Sequence, residues 1–172
     1  MSKLLKRVFA FGMALCLSLC FVSASAATRT DAQDVFILNG DLARGAEWPT
    51  SFYDLSKSDY KAEIQNISTG KGVYASRYFE CNASGELHIS ATMTCAYPVA
   101  EVSKIRFEIY LYDTKELVSS YAPSYYASYN ETTISHTFDG LSTGKKYVVR
   151  FLNASDVVGW DNKMYGPITI SH

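Results

Sequence analysis

Residues 87–95 read LHISATMTC, and the alternation within this stretch decides the fold of the chain. Every second residue from Leu87 to Cys95 is apolar, and the residues between them are histidine, serine or threonine. Because successive side chains of a β-strand point to opposite faces, this period of two predicts a strand with one buried face and one wet face. Strands of this kind are typical of antiparallel sheets.

The same period of two continues through most of the chain from residue 60 onward. Four further runs show it, at residues 105–112, 134–138, 146–152 and 168–171. Segments with Asp, Gly, Ser or Pro separate the runs and predict turns at 113–115, 139–140, 142–144, 159 and 166–167. No stretch of ten residues has the pattern of an amphipathic helix. We therefore predict an all-β fold, an antiparallel β-sandwich.

The first 26 residues have the composition of an export signal. Residues 3–7 carry three basic side chains, residues 8–22 are mainly apolar, and residues 24–26 (Ala-Ser-Ala) fit a signal-peptidase site. An uncleaved anchor helix is the alternative, although a membrane span needs about 20 apolar residues. The bulky leucine before Cys20 disfavours lipidation there. We predict a signal peptide over residues 1–26, a secreted or cell-envelope location, and no membrane insertion after cleavage.

Removal of that segment would leave a weakly acidic chain of ordinary domain size. The 172 residues less these 26 leave 146, with 13 of the 16 Lys and Arg against all 17 Asp and Glu, a formal charge of −4. A nucleic-acid binder would need a clustered basic face, so we expect no nucleic-acid partner. Aromatic residues make up 14% and charged residues 19% of the chain, which excludes a disordered protein.

The residues between the signal segment and the regular strands are less periodic. Residues 35–38 precede Asn39-Gly40 and predict an edge strand, and the aromatic segment 48–55 is expected to cover one end of the core. No linker separates this part from the rest. We therefore predict one domain, with residues 27–59 as an N-terminal extension packing on a β-sandwich of residues 60–172.

Cys81 and Cys95 are the two cysteines outside the signal segment, and an oxidising compartment would favour their pairing. The local pattern favours a hairpin instead, with strands at 73–80 and 86–95 joined by a turn at 82–85. In that hairpin the two sulfurs would lie roughly 30 Å apart at a rise of about 3.3 Å per residue. A disulfide requires Cα atoms within about 7 Å of each other. We therefore expect the hairpin, and two buried or half-buried thiols.

Residues 137–151, TFDGLSTGKKYVVRF, combine a strand end, a Gly-Leu pair, a short turn and a tyrosine opening the next strand. This stretch resembles the E–F corner of fibronectin type III domains, and the order of strands extends the resemblance to about residues 60–171. It implies that Leu141 plugs one end of the sandwich, that Gly144 lies in the turn, and that the Tyr147 hydroxyl binds backbone across the connection. The chain lacks the tryptophan usual on the second strand and the proline usual in the turn. Other immunoglobulin-like sandwiches therefore stay open, and the layout also resembles small exported bacterial proteins.

No group of residues has the pattern of a catalytic or metal site. His172 is terminal, His88 lies on the polar face of its strand, and His136 shares a face with apolar neighbours, which indicates a core-edge histidine. No serine lies in a Gly-x-Ser-x-Gly motif, and the histidines and loop aspartates match neither a zinc nor a calcium site. We expect no enzyme activity, no cofactor and no metal. Four Asn-x-Ser/Thr sequons suggest surface turns, at Asn66, Asn82, Asn130 and Asn153.

Three loops with aromatic side chains are predicted to converge at one end of the sandwich. If residues 105–112 run away from that end, residues 117–121 return to it. The loop at residues 121–130 then lies at the same end as the loop at residues 96–98 and the loop at residues 156–165. Tyrosine and tryptophan provide large contact areas at low entropic cost, so we hypothesise a binding module for a protein or a glycan. The structural alternative is that Trp160 and two tyrosines fold back onto the core. The candidate contact residues are Tyr97, Tyr125, Tyr126, Tyr129 and Trp160.

Two other functions stay open. The first is a structural or adhesive envelope protein, or a subunit of a larger complex, that assembles through sheet edges. The second is a small hydrolase, which would require a serine or aspartate within hydrogen-bond reach of His136 in an open cleft.

Overall fold

A computed structural model describes residues 36–39, 47–95, 104–123, 131–155 and 162–172 of the chain. The predicted signal peptide lies outside these ranges. Within them, all regular secondary structure is β-strand. The strands are β1 (Phe36–Asn39), β2 (Tyr60–Ile67), β3 (Gly72–Tyr74), β4 (Phe79–Glu80), β5 (Leu87–Cys95), β6 (Ile105–Leu111), β7 (Leu117–Tyr121), β8 (Thr132–Phe138), β9 (Lys146–Asn153) and β10 (Met164–Ser171).

The strands form two sheets that pack face to face, which confirms the predicted β-sandwich. The first sheet has the order β1-β2-β10-β5-β8, and the second has the order β3-β9-β6-β7 with β4 also paired to β9. Connections from β2 to β3, β4 to β5, β5 to β6, β7 to β8, β8 to β9 and β9 to β10 cross between the sheets. This is the strand order of a jelly roll, one architecture within the broad class of antiparallel sandwiches. The fibronectin resemblance thus concerns this broad class and the corner at residues 137–151.

The predicted alternation is what builds the core between the sheets. Along β5, every residue at an odd position is buried, and every residue at an even position is half-buried. Both sheets contribute the aromatic rings of the core, and aliphatic side chains fill the space around them. The largest fully buried side chains include Tyr60, Phe79, Phe107, Tyr147, Phe151, Ile64, Leu87, Ile89 and Met93.

β1 lies at one edge of the first sheet and pairs with β2 in parallel orientation. Its residue Leu38 belongs to the core, as does Leu55 further along the chain. Phe36 stacks on Tyr60 with ring centroids 4.9 Å apart. Residues before Tyr60 therefore contribute both a strand and core side chains to the sandwich.

The predicted hairpin between residues 73–80 and 86–95 is wrong. β3 and β4 pair with β9 in the second sheet, whereas β5 pairs with β8 and β10 in the first. The reason is the tight connection at Asn82, whose Oδ1 accepts hydrogen bonds from the backbone N–H groups of Ser84 (3.0 Å) and Glu86 (2.8 Å). This connection passes the chain from one sheet to the other.

Both cysteines are buried, and no disulfide joins them. The Cys81 thiol lies against the backbone of the β8–β9 connection, with Sγ 3.6 Å from the carbonyl oxygen of Ser142. Burial raises the pKa of this thiol above its usual value. Cys95 ends β5 in the opposite sheet. The expectation of buried thiols is confirmed, although the hairpin from which it was derived does not form.

Gly166-Pro167 is not a turn, as its composition suggested, but lies inside β10. The register between β10 and β2 shifts between Met164 and Gly166. Gly166 has φ +144°, and a Cβ at this position would collide with the carbonyl oxygen of Thr92 on β5. Glycine here permits the close approach of two strands that a side chain would prevent.

The connection from β8 to β9 has the geometry of a tyrosine corner. Tyr147 is buried, and its hydroxyl accepts a hydrogen bond from the backbone N–H of Ser142 (2.8 Å) and donates one to the carbonyl oxygen of the same residue (3.1 Å). Leu141 is also buried. Gly144 has φ +72° in the exposed turn between them. The ring thus belongs to the core while its polar end holds the turn.

None of the described residues forms a helix long and apolar enough to cross a membrane.

Candidate functional site

The five aromatic residues predicted to contact a ligand lie outside the described residues. Tyr97 falls within residues 96–103, Tyr125, Tyr126 and Tyr129 fall within 124–130, and Trp160 falls within 156–161. Their contact with a ligand therefore stays a prediction.

The strand ends that flank these loops are described, and they lie at one end of the sandwich. Cys95, before the first loop, pairs with Met164, after the last loop. Ile105 pairs with Asn153, and Tyr121 pairs with Phe107 close to that end. The three loops consequently leave from neighbouring strand ends.

A buried hydrogen-bond network around Asn153 lies at this end of the sandwich. The Asn153 side-chain amide donates to the carbonyl oxygens of Ile67 (2.8 Å) and Asn162 (2.6 Å). Its Oδ1 accepts from the backbone N–H of Ser155 (3.2 Å) and from the Ser155 hydroxyl (2.5 Å). Asn153 is fully buried, so the expectation that its sequon marks a surface turn is wrong. The network joins the ends of β9 and β2 with Ser155 and Asn162.

A second aromatic group lies on the outer face of the β3-β9-β6-β7 sheet. It comprises Trp48, Tyr74, Tyr78, Tyr110 and Tyr112, and we call it the Trp48 surface. The Trp48 ring lies 5.3 Å from that of Tyr74, 6.1 Å from that of Tyr110 and 6.2 Å from that of Tyr112, measured between centroids. Tyr78 lies 4.4 Å from Tyr112. All five side chains are half-buried, so part of each remains accessible.

The alternation of the strands explains why this surface forms. Phe107 and Ile109 of β6 belong to the core, so Tyr110 lies on the opposite face. Val148 of β9 pairs with Tyr110 and is fully buried although it is not part of the core cluster. Aromatic rings on the outside of the sheet therefore cover an apolar position of β9, and Trp48 packs against them.

Cations lie over the rings of the Trp48 surface. The Lys146 ammonium is 5.3 Å from the Tyr78 centroid and 5.9 Å from that of Tyr112. Lys115 lies 5.5 Å from the Trp48 ring, and the Arg150 guanidinium lies 5.6 Å from the Tyr74 ring. Each of these distances is within the range of a cation–π contact.

A buried carboxylate adds a fixed polar group beside the rings. Glu108 lies 3.0 Å from Nη1 of Arg150 and 3.8 Å from Nη1 of Arg106, and it accepts a hydrogen bond of 2.8 Å from the Tyr110 hydroxyl. Burial, together with this hydrogen bond to the carboxylate, raises the pKa of Tyr110. The Trp48 surface therefore combines apolar ring faces with a buried ion pair and with cations over the rings.

His136 lies against two aromatic rings. Its imidazole stacks on Tyr121 with centroids 3.8 Å apart and contacts Phe138 edge to face at 4.7 Å. Burial lowers the pKa of this histidine. The residue joins the open edges of the two sheets, since Tyr121 is on β7 and His136 is on β8.

No group of three or more His, Cys, Asp or Glu side chains in the described ranges could hold a metal ion.

Sequence reasoning missed the Trp48 surface. It expected residues 48–55 to cover one end of the core, and in this segment Leu55 belongs to the core cluster and Tyr53 packs against it. Trp48 instead packs on the outside of a sheet, against tyrosines from β3 and β6. The available signal was the pair Tyr110 and Tyr112 at outward positions of a strand.

No family model and no curated protein sequence matches the chain. Its structure is similar to several carbohydrate-binding modules. One is the CBM6 module of Cellvibrio mixtus lichenase 5A, solved with cellotriose, at a TM-score of 0.39 and 16% identity over 62% of this chain and 73% of that chain. Another is the C-terminal CBM6 of the Zobellia galactanivorans laminarinase LamC, at a TM-score of 0.37 and 12% identity. That match covers 67% of this chain and 100% of that chain.

The third is the CBM22-1–GH10 portion of Clostridium thermocellum xylanase 10B, solved with xylohexaose, at a TM-score of 0.40 and 15% identity. The match covers 66% of this chain and 24% of that chain. Similarity at this level carries no information about what the present chain binds.

Proposed function

We propose that this chain is an exported, non-enzymatic binding module that contacts a protein or a glycan through aromatic side chains. The observation that carries the proposal is the Trp48 surface, where five half-buried rings lie beside fixed charged groups on the outside of one sheet. Rings of tyrosine and tryptophan bury large area at low entropic cost, and neighbouring charged groups give orientation.

The aromatic loops at the end of the sandwich are a second part of the proposed contact region. Tyr97, Tyr125, Tyr126, Tyr129 and Trp160 would lie there. Support comes from the flanking strand ends, which are neighbours, and from the Asn153 network beneath them. Loops on a rigid sandwich end are a common location for binding residues.

A non-enzymatic role is supported by the surroundings of His136. Its imidazole contacts the rings of Tyr121 and Phe138. General-base catalysis would instead need a hydrogen bond from a nucleophile to the imidazole. Export is proposed from the signal-like composition of residues 1–26.

Binding to a glycan array and pull-down from a secreted-protein mixture test the proposal. We expect Trp48→Ala and Tyr112→Ala to abolish retention if the Trp48 surface binds the ligand, and Trp160→Ala with Tyr126→Ala to do so if the loops bind it. Tyr165→Ala is the matched control for the Trp48 surface, because Tyr165 is an aromatic residue 39% exposed on the other sheet. Urea unfolding of each variant verifies that the fold persists. Unchanged retention by all four aromatic variants would overturn the proposal.

The alternative is a structural or adhesive protein that assembles through sheet edges. Exposed apolar side chains on two edge strands favour it, Ile37 on β1 and Leu117 and Val118 on β7. Light scattering over a range of concentrations tests this alternative, and a molecular mass that never exceeds that of one chain would count against it.

A further inference from the structure

The outer edge of β7 is a place where another strand can add to the sandwich. β7, residues Leu117–Tyr121, ends the sheet order β3-β9-β6-β7 and pairs with β6 within the described part of the chain. A strand at the end of a sheet presents backbone N–H and C=O groups on its outer side that can pair with a further strand.

The sequence of β7 lacks two of the features that usually prevent such pairing, charged residues and proline. LVSSY contains no charged residue and no proline, and Leu117 and Val118 are 49% and 48% exposed. The register between β6 and β7 shifts at Val118, between the pairs Ile109–Ser119 and Tyr110–Leu117, whereas Ser119–Tyr121 pair regularly with residues 107–109. Natural edge strands are normally protected by lysine, proline or a bulge along the edge.

The other edges of the sandwich differ from β7. The opposite edge of the same sheet consists of two short strands, β3 with three residues and β4 with two. They pair with different parts of β9. In the other sheet, β1 has four residues, and the exposed side chains of β8 are threonine and serine. β7 is therefore the edge that combines regular length with exposed apolar side chains among the described strands.

We propose that β7 pairs with β7 of a second copy of this chain, antiparallel and with the two-fold axis at Ser119. The two β3-β9-β6-β7 sheets would then form one continuous sheet across the dimer. This register places Leu117 opposite Tyr121 and Val118 opposite Ser120 of the second copy, so that apolar and hydroxyl side chains meet without charge.

Charge selects this orientation over the parallel one. Glu116 is the first residue before β7 and is exposed. In the antiparallel register about Ser119 it faces Ala122 of the second copy, whereas a parallel pairing in register would place the two Glu116 carboxylates side by side. Like charges directly opposite each other destabilise a sheet. The strand is thus complementary to itself in one orientation.

Sedimentation velocity and light scattering across a concentration series test the proposal. We expect the wild-type chain to shift from one copy to two, and Val118→Lys to raise the dissociation constant roughly tenfold or more, because two like charges enter the interface. Ile37→Lys is the matched control, since Ile37 is 58% exposed on the edge strand of the other sheet. We expect this variant to dimerise as the wild type does.

A double variant tests the register itself. Val118→Lys with Ser120→Glu places opposite charges across the proposed pairing, so dimerisation is expected to recover. Hydrogen exchange of the residue 119–121 amides should slow as the concentration rises. A wild type that remains a single copy, an unchanged dimer in Val118→Lys, a dimer lost in Ile37→Lys, or edge amides protected at all concentrations by another part of the same chain would each overturn the proposal. The outcome is independent of whether the aromatic surfaces bind a ligand.

Discussion

The side-chain amide of Asn153, at the end of β9, donates a hydrogen bond of 2.8 Å to the carbonyl oxygen of Ile67, at the end of β2 in the opposite sheet. The same side chain also donates to the carbonyl oxygen of Asn162 and accepts hydrogen bonds from the backbone N–H and the hydroxyl of Ser155. Because Asn153 is fully buried, these protein groups replace the water that its amide would bind in the unfolded chain. One side chain therefore joins the two sheets at the end from which the aromatic loops leave.

We expect Asn153→Ala to lower the free energy of unfolding by roughly 3 kcal/mol, because it leaves the carbonyls of Ile67 and Asn162 buried without this donor. Urea unfolding followed by tryptophan fluorescence measures the change. Asn66→Ala, at a half-buried position of β2, is the control and should cost less than about 1 kcal/mol. Equal losses for the two variants would show that Asn153 does not have this joining role.

A second prediction concerns the Tyr147 hydroxyl, which binds both the N–H and the carbonyl oxygen of Ser142. Tyr147→Phe keeps the ring in the core and removes both hydrogen bonds, so we expect a loss of roughly 2 kcal/mol in the free energy of unfolding. Tyr165→Phe, at an exposed position, should change stability by less than about 0.5 kcal/mol. Chemical denaturation of both variants measures the difference, and a Tyr147→Phe variant as stable as wild type would contradict the prediction.

The sequence predicted the strands well and their partners poorly, for a physical reason. Alternation depends on the two faces of a single strand, so the strand predicted over residues 86–95 differs by one residue from β5, which spans Leu87–Cys95. Pairing depends on where the chain crosses between sheets. The hydrogen bonds of Asn82 that direct this crossing are local, but the strand that β4 joins, β9, lies more than 60 residues further along the chain. The alternation of apolar and polar residues within a strand does not indicate which strand it pairs with.

The Trp48 surface was not predicted, because it too depends on which strands lie side by side. Tyr110 could be placed on an outer face from its neighbours, because Phe107 and Ile109 are apolar at the alternate positions. Trp48 lies before the first regular strand of the second sheet and has no periodic context. Its contact with Tyr74 and Tyr110 requires knowledge that β3 and β6 lie on the two sides of β9. Aromatic content alone could equally have indicated packing into the core.

Two glycines with similar backbone conformations provide a third prediction. Gly85 has φ +76° and Gly144 has φ +72°. A Cβ at Gly85 would collide with the carbonyl oxygen of Leu141, whereas a Cβ at Gly144 has no heavy atom within 4 Å. The left-handed conformation costs an alanine about 1–2 kcal/mol at either position, and the collision adds to this cost at Gly85 alone.

We therefore expect Gly85→Ala to lower the free energy of unfolding by roughly 2 kcal/mol more than Gly144→Ala does. Because each variant serves as the control for the other, the difference isolates the backbone contact between the β4–β5 turn and Leu141. Equilibrium unfolding in urea gives both values under one set of conditions. If the two substitutions proved equally costly, the approach of Gly85 to Leu141 would have no part in stability.

The last prediction follows from the position of His136 between Tyr121 and Phe138. Burial lowers the pKa of its imidazole below the ordinary value of 6.5, and the nearby Asp139 carboxylate opposes part of this shift. The folded protein therefore favours the neutral ring. As the pH falls through 6.5, the unfolded chain takes up a proton that the folded chain does not, so this residue's contribution to stability is complete above that pH and is lost below it.

We expect the urea midpoint of the wild type to fall between about pH 8 and pH 5.5 by more than that of His136→Phe. The phenylalanine keeps an aromatic ring against Tyr121 and removes the titrating group, while the other histidines titrate in both proteins. Subtracting the two pH profiles therefore leaves the contribution of His136. Parallel profiles would show that folding leaves the pKa of the imidazole unchanged, and a larger decline in His136→Phe would show that folding raises it.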